Sequence, residues 1–126
     1  MVKYEVIDDK GHKICTIILP KLLELINEFG LKEEYNKAIL EENTEDYIAK
    51  LDAKAMLNLF DKLLPKIEKL IEKWIEKNEK EKQIFLGKNW RKKLEKELNE
   101  YEKYNLIREY ILKNRSKYIC LTPKKS

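Results

Sequence analysis

Strand-like sequence occupies both ends of this chain, and helical periodicity fills the stretch between them. At the N-terminus Val2, Tyr4 and Val6 alternate with Lys3 and Glu5, the two-residue period of a strand with one buried face. Asp8-Asp9-Lys10-Gly11 is a turn in which Gly11 supplies a positive φ. Ile14 to Leu19 then returns as an almost wholly apolar run, which predicts a strand that is central or covered on both faces. Lys117 to Thr122 is strand-like again. The expected class is therefore α+β, mostly α. A helical body of four to five helices is held by an N-terminal β-hairpin and a C-terminal strand or β-hairpin, in one domain over residues 1–126.

The middle of the chain is read from its apolar spacing. Pro20 suits a first helical turn, Leu22, Leu23, Ile26 and Phe29 form an inner face, and Gly30 ends the helix. A second helix is expected over residues 32–42, with Tyr35, Ile39 and Leu40 inward. Asn43 or Thr44 caps a third helix carrying Tyr47, Ile48, Leu51, Ala55, Leu59 and Leu63, which Pro65 should break or kink. Ile67, Leu70, Ile71, Trp74 and Ile75 form the clearest amphipathic stripe. After a short linker at 83–87, Asn89 caps a last helix with Trp90, Leu94, Leu98 and Tyr101 on its apolar face. Leu106, Ile107, Tyr110 and Ile111 fall about 100–180° away from that stripe on the same helical wheel. The favoured reading is thus a strand over residues 106–113, paired with 117–122 into a hairpin with a basic tip. A single helix to Lys113 followed by a lone strand is the alternative.

Charge is abundant and unevenly placed. Charged residues make up 40% of the chain beside 43% apolar ones, so a core is available and disorder is not expected. The Lys, Glu and Ile bias suits a thermophile or a low-GC genome. Residues 1–87 carry 15 Lys against 18 acids (−3), and residues 88–126 carry 12 Lys or Arg against 5 acids (+7). A basic terminal third is either the footprint of an anionic partner or a solubilising surface with an acidic complement elsewhere in the chain. Between residues 66 and 80 the charges are sorted, with Glu68, Glu72, Glu76 and Glu79 on one flank and Lys66, Lys69, Lys73, Lys77 and Lys80 on the other. The default reading is a solvated polar face; the alternative is that each flank faces a neighbouring helix of opposite sign or a partner molecule.

Catalytic signatures are missing from the sequence. One histidine, His12, sits beside a turn with no nucleophile near it in sequence, and there is no glycine-rich phosphate loop. Cys15, Cys120 and His12 match no zinc spacing, and no cofactor is implied. Both cysteines sit in apolar strand sequence and are expected as buried thiols, close together if both termini join one sheet. The residual enzyme reading is a metal nuclease using Glu5, Asp8 or Asp9 with a lysine. No run approaches the ~20 apolar residues of a membrane span, and the chain opens on strand-like sequence instead of a leader. A cytoplasmic, non-enzymatic protein without a small-molecule substrate is expected.

Two functions from different classes follow. Leu106-Ile107, the turn carrying Arg115, Lys117-Tyr118 and Leu121-Thr122-Pro123-Lys124 together resemble the last helix and wing of winged-helix transcription regulators of the PadR and MarR type, over residues 90–125. That resemblance implies a nucleic-acid-binding regulator, with residues 89–104 in the major groove and Asn114-Arg115 at a wing tip. Its contact residues would be Arg91, Lys92, Lys96, Lys103, Arg115 and Lys117, mostly to phosphates. The alternative is a protein-interaction module: a mobile-element inhibitor, an immunity or antitoxin protein, or a self-assembling helical subunit with a protein partner or a homodimer. Its interface would be Lys66, Lys69, Lys73 and Lys77 with Glu68, Glu72 and Glu76.

Overall fold

The two chain ends meet in the middle of a single sheet. The structure, a computed structural model, describes residues 3–81 and 90–124, and leaves aside the side chains of 77–81, 90, 91, 93 and 94. The expected linker at 83–87 and the Asn89 cap lie outside the described residues. β1 (Lys3–Asp8) and β2 (Lys13–Ile18) form the N-terminal hairpin, and β5 (Tyr118–Pro123) pairs with the other side of β1. β3 (Ile39–Glu42) and β4 (Ala49–Asp52) form a second hairpin that extends the sheet beyond β5. All pairings are antiparallel and the strand order is β2-β1-β5-β4-β3.

Register explains which residues are inside. Val6 opposes Leu121, which opposes Ala49; Ile119 opposes Leu51. These side chains, with Ile17, share one face and are all buried. The neighbouring positions Glu5, Thr16, Lys50, Tyr118 and Cys120 point to the other face, where Glu5 pairs with Lys13 and the Lys50 amine lies 4.1 Å over the Tyr118 ring. The central strand is β5, with β1 beside it, and not β2, for which its apolar run allowed a central place. β2 is an edge strand, and its inner side is covered by a helix instead of by a second strand.

The N-terminal turn is held by one carboxylate. Asp8 accepts the Lys10 N–H at 3.0 Å and the His12 N–H at 2.7 Å, and Gly11 takes φ +83°. α1 (Leu19–Glu28) buries Leu19, Leu22, Leu25 and Ile26. It closes as expected at Gly30, φ +70°, where the Leu31 N–H reaches Ile26 and the Gly30 N–H reaches Asn27.

The next three expectations fail for tertiary reasons. α2 (Lys32–Ala38) stops four residues short of the expected end, because Ile39 to Glu42 pair with β4. Leu40, expected inward, is exposed. The Asn43–Asp46 cluster caps no helix. Thr44 closes the β3–β4 turn by exchanging hydrogen bonds with Tyr47, and Asn43 takes the left-handed φ of +53°. The helix cap is Asp52, whose carboxylate accepts the Ala55 N–H at 3.0 Å. Ile48 to Leu51, read as helical, obey the two-residue period of β4, and local spacing alone does not separate the two over so short a run.

α3 (Ala53–Glu81) continues unbroken through Pro65. Leu63, Leu64 and Ile67 are buried around the proline while Pro65 itself faces solvent, so packing on the inner side offsets the missing N–H bond. α4 (Trp90–Asn114) is one helix through residues 106–113, which corrects the favoured strand reading in favour of the alternative. Its buried face is Tyr104, Ile107 and Ile111. The helix ends at Arg115, φ +51°, not at Asn105. α3 and α4 pack side by side; α4 covers β2 and α3 covers β4 and β5. The Phe60 and Tyr104 rings stack between the two helices with centroids 6.1 Å apart. Among the described residues, no helix is long and apolar enough to cross a membrane.

Candidate interaction surface of the helical layer

The residues expected to hold nucleic acid are spread along the whole of α4. Lys92 and Lys96 are exposed near its start, and Lys103 is half-buried with its amine 3.6 Å from Glu100. Arg115 and Lys117 are exposed beyond its far end, about 35 Å from Lys92 at the helical rise. Lys117 is tied down through its backbone, whose N–H donates to Asp9 at 2.9 Å. The Arg91 side chain lies outside the described residues. No second strand accompanies β5 from residues 106–113, so Arg115 occupies a helix terminus instead of a hairpin tip.

Two of the sorted charges of α3, Glu68 and Lys66, meet neighbouring elements, as do Asp61 and Lys62 just before them. The acidic flank turns toward α4: the Tyr101 hydroxyl donates to Glu68, and one turn pair further on Arg108 Nε donates to Asp61 at 2.7 Å. The Glu68 bond pushes the Tyr101 hydroxyl up to about 12, with burial and the Glu68 charge adding to it. The basic flank turns toward α1 and α2, with Lys62 3.4 Å from Glu34 and the Lys66 amine 5.9 Å from the Phe29 ring centre. Lys69, Lys73 and Glu72 are exposed, as is Glu76; the Lys77 side chain lies outside the described residues.

The outward face of α4 is the unexpected feature. Leu98, Leu106 and Leu112 are 36%, 46% and 52% exposed, and Glu95, Glu102 and Glu109 stand among them in solvent. Beside this face, Asp61, Leu64, Pro65, Tyr101, Asn105 and Arg108 line a shallow groove of about 200 Å³ between α3 and α4. The sequence carried a signal for this. Of the residues that fell off the Trp90–Tyr101 stripe, Ile107 and Ile111 form the buried face and Leu106 is left outside, while Leu98, expected on the inner stripe, is exposed.

Two polar clusters lie inside. Under α4, the Tyr104 hydroxyl donates to Glu100 at 3.0 Å, and Lys21 lies 2.6 Å from Glu97, whose other carboxylate oxygen is buried without a hydrogen-bond partner. Burial, reinforced by Glu100, pushes the Tyr104 hydroxyl far up, and burial raises the nearby Cys15 thiol to about 11. That thiol is protonated at neutral pH and is a poor nucleophile. At the other end of α4, Asp8 accepts the Tyr110 hydroxyl at 2.7 Å in addition to its two backbone donors. Asp8, Asp9 and Glu5 do not converge: the first two hold the turn and Lys117, and Glu5 sits on the opposite face of the sheet with Lys13. Among the described residues, no three His, Cys, Asp or Glu side chains are placed to hold a metal ion. His12 is exposed.

Cys15 and Cys120 are separated as well. Cys15 opposes Val6 on the inner face, and Cys120 opposes Ile7 on the outer face. With β1 between them they are roughly 10 Å apart at normal strand spacing.

No protein-family model, characterised protein or solved structure matches the chain.

Proposed function

We propose that this chain is a non-enzymatic protein-interaction module that docks through the outward face of its α3–α4 layer. The observation that carries the reading is the exposure of Leu98, Leu106 and Leu112 on a helix whose opposite side is already fully packed. Burying a leucine side chain completely is worth about 1.5–3 kcal/mol. Three leucines that still show a third to a half of their surface therefore hold roughly 2–4 kcal/mol in reserve for a partner. The interleaved Glu95, Glu102 and Glu109 ask for a partner with basic groups around an apolar centre, and they oppose a polyanion. A nucleic acid laid along the same helix would meet those three carboxylates beside Lys92 and Lys96.

The test is the double substitution Leu106→Glu and Leu112→Glu. Both positions are solvent-exposed, so the thermal midpoint should stay within a few degrees while affinity capture and self-association are lost. An unchanged set of bound proteins would sink the reading. So would a retarded complex with mixed-sequence DNA or RNA at about 50 mM salt and micromolar protein that weakens steeply as salt is raised.

A further inference from the structure

Deepening that reading, and resting on it, we infer that the groove between α3 and α4 is a seat for an arginine side chain of the partner. The observation behind it is the place of Pro65. It stands inside α3, exposed, on the wall of the groove. Proline has no N–H, so the carbonyl of Asp61, four residues earlier, lacks its regular helical donor. Asp61, Leu64, Pro65 and Glu68 line the α3 wall, and the Asp61 carbonyl, which points along the helix toward Pro65, therefore opens on the groove. Proline is the residue a helix interior tolerates least. The packed stripe here is Leu63, Leu64 and Ile67, and Pro65 contributes nothing to it. A break with local propensity that the core does not require is expected where a site is served.

The chemistry of the lining selects the occupant. Asp61 and Glu68 are anionic and Arg108 is cationic, which leaves the lining one negative charge in excess. Arg108 is matched to Asp61, Nε donating at 2.7 Å, whereas Glu68 is met by the uncharged Tyr101 hydroxyl. Open to a donor are the Asp61 carbonyl, the remaining lone pairs of Glu68 and the side-chain oxygen of Asn105 on the facing wall. A carboxylate or phosphate brought here would meet acceptors and the Glu68 charge. The Asp61 carbonyl and the Glu68 carboxylate stand about one helical turn apart, roughly 5–6 Å. A planar guanidinium carries donors on more than one edge and serves both, while an ammonium is a point charge that serves one at a time. The aliphatic stem of the arginine then lies on Leu64, the Pro65 ring and the Tyr101 ring. The glutamates of the outward face of α4, Glu102 and Glu109, add negative potential beside the groove.

The test is a titration of the isotope-labelled chain with N-acetyl-arginine amide, read by backbone amide shifts. The shifts should saturate with a dissociation constant of about 1–10 mM and centre on the residues that line the groove. N-acetyl-lysine amide should bind at least about 5-fold more weakly. Pro65→Ala returns the N–H and closes the Asp61 carbonyl, so it should weaken arginine binding about 10-fold while the fold stays at least as stable. Glu68→Gln should weaken it by a similar factor. Four results overturn the proposal: no saturable shift at about 50 mM, shifts centred elsewhere, lysine bound as well as arginine, or Pro65→Ala binding like the wild type. If Pro65→Ala lowers the thermal midpoint, Glu68→Gln decides, and unchanged binding there overturns the proposal as well. If the arginine probe fails but Leu106→Glu with Leu112→Glu abolishes protein capture, the groove falls and the docking face stands. If the probe binds as expected but capture survives that substitution, the guanidinium site stands and the docking face falls.

Discussion

Replacing Tyr110 with phenylalanine should destabilise the fold in a pH-dependent way. Asp8 is buried, its side chain 2% exposed, and its carboxylate is held by the Tyr110 hydroxyl and two backbone N–H groups. Burial pushes its pKa up, but the Tyr110 bond and the two backbone bonds outweigh burial and leave it below the ordinary 3.8. A group with a depressed folded pKa contributes stability above its unfolded value and loses it as pH falls through the folded one. A hydrogen bond to a charged group contributes about 1.5–3 kcal/mol. In Tyr110→Phe only the His12 ring, 3.7 Å away, remains near that oxygen. The loss at pH 7 should therefore be about 2 kcal/mol, lowering the urea midpoint by about 1 M at a typical slope. At pH 3 the wild type has begun to lose the same contribution, and the difference should shrink to about 1 kcal/mol or less. Urea unfolding followed by circular dichroism at both pH values measures it. Equal losses at pH 7 and pH 3, or a loss under 0.5 kcal/mol at pH 7, would refute the reasoning.

Two further outcomes are expected. Pro65→Ala should stabilise the chain by about 1–3 kcal/mol in urea unfolding, because α3 already continues through that exposed position and alanine restores the missing N–H; a decrease would mean that Pro65 is required by its surroundings. Mild oxidation should form no Cys15–Cys120 bridge, since the two strands flank β1 and the thiols lie on opposite faces. At pH 8 a thiol reagent should label Cys120 before Cys15, whose pKa burial raises to about 11; intramolecular bridging, or Cys15 reacting first, would contradict the register.

The strands at the two chain ends and the presence of a helical middle were legible in the sequence, whereas what depends on pairing was hidden. The alternation of Val2 to Val6 with Gly11 in the turn is a local code, and the N-terminal hairpin follows from it. Gly30 as a helix stop is equally local. Ile39 to Glu42 and Ala49 to Asp52 are four residues each, too short for a helical and an alternating pattern to differ, and only their pairing beside β5 makes them strands. Of the two alternatives for Ile14 to Leu19, the central position fails because β2 is an edge strand, whose apolar residues are covered on the inner face by a helix. Pro65 misled for a related reason: a proline penalty is set locally, whereas the stripe through Leu63 and Ile67 is packed globally. The working surface was visible only as a contradiction. Leu106, Ile107, Tyr110 and Ile111 conflicted with the Trp90–Tyr101 stripe, and a strand seemed to remove the conflict; the helix instead buries Ile107 and Ile111 and leaves Leu106 and Leu98 exposed. The sorting of Lys and Glu over residues 66–80 is in the main an exposed face, with Lys69, Glu72, Lys73 and Glu76 in solvent, Glu68 on the Tyr101 hydroxyl and Lys66 over the Phe29 ring.

The most direct measurement is photo-cross-linking in living cells from a benzophenone side chain placed at position 106, with position 92 as the comparison. The outward face of α4 should give a discrete protein adduct from position 106, to a second copy of the chain or to another protein, that disappears when Leu112→Glu is added. A nucleic-acid adduct from position 92, with none to protein from position 106, would contradict the account.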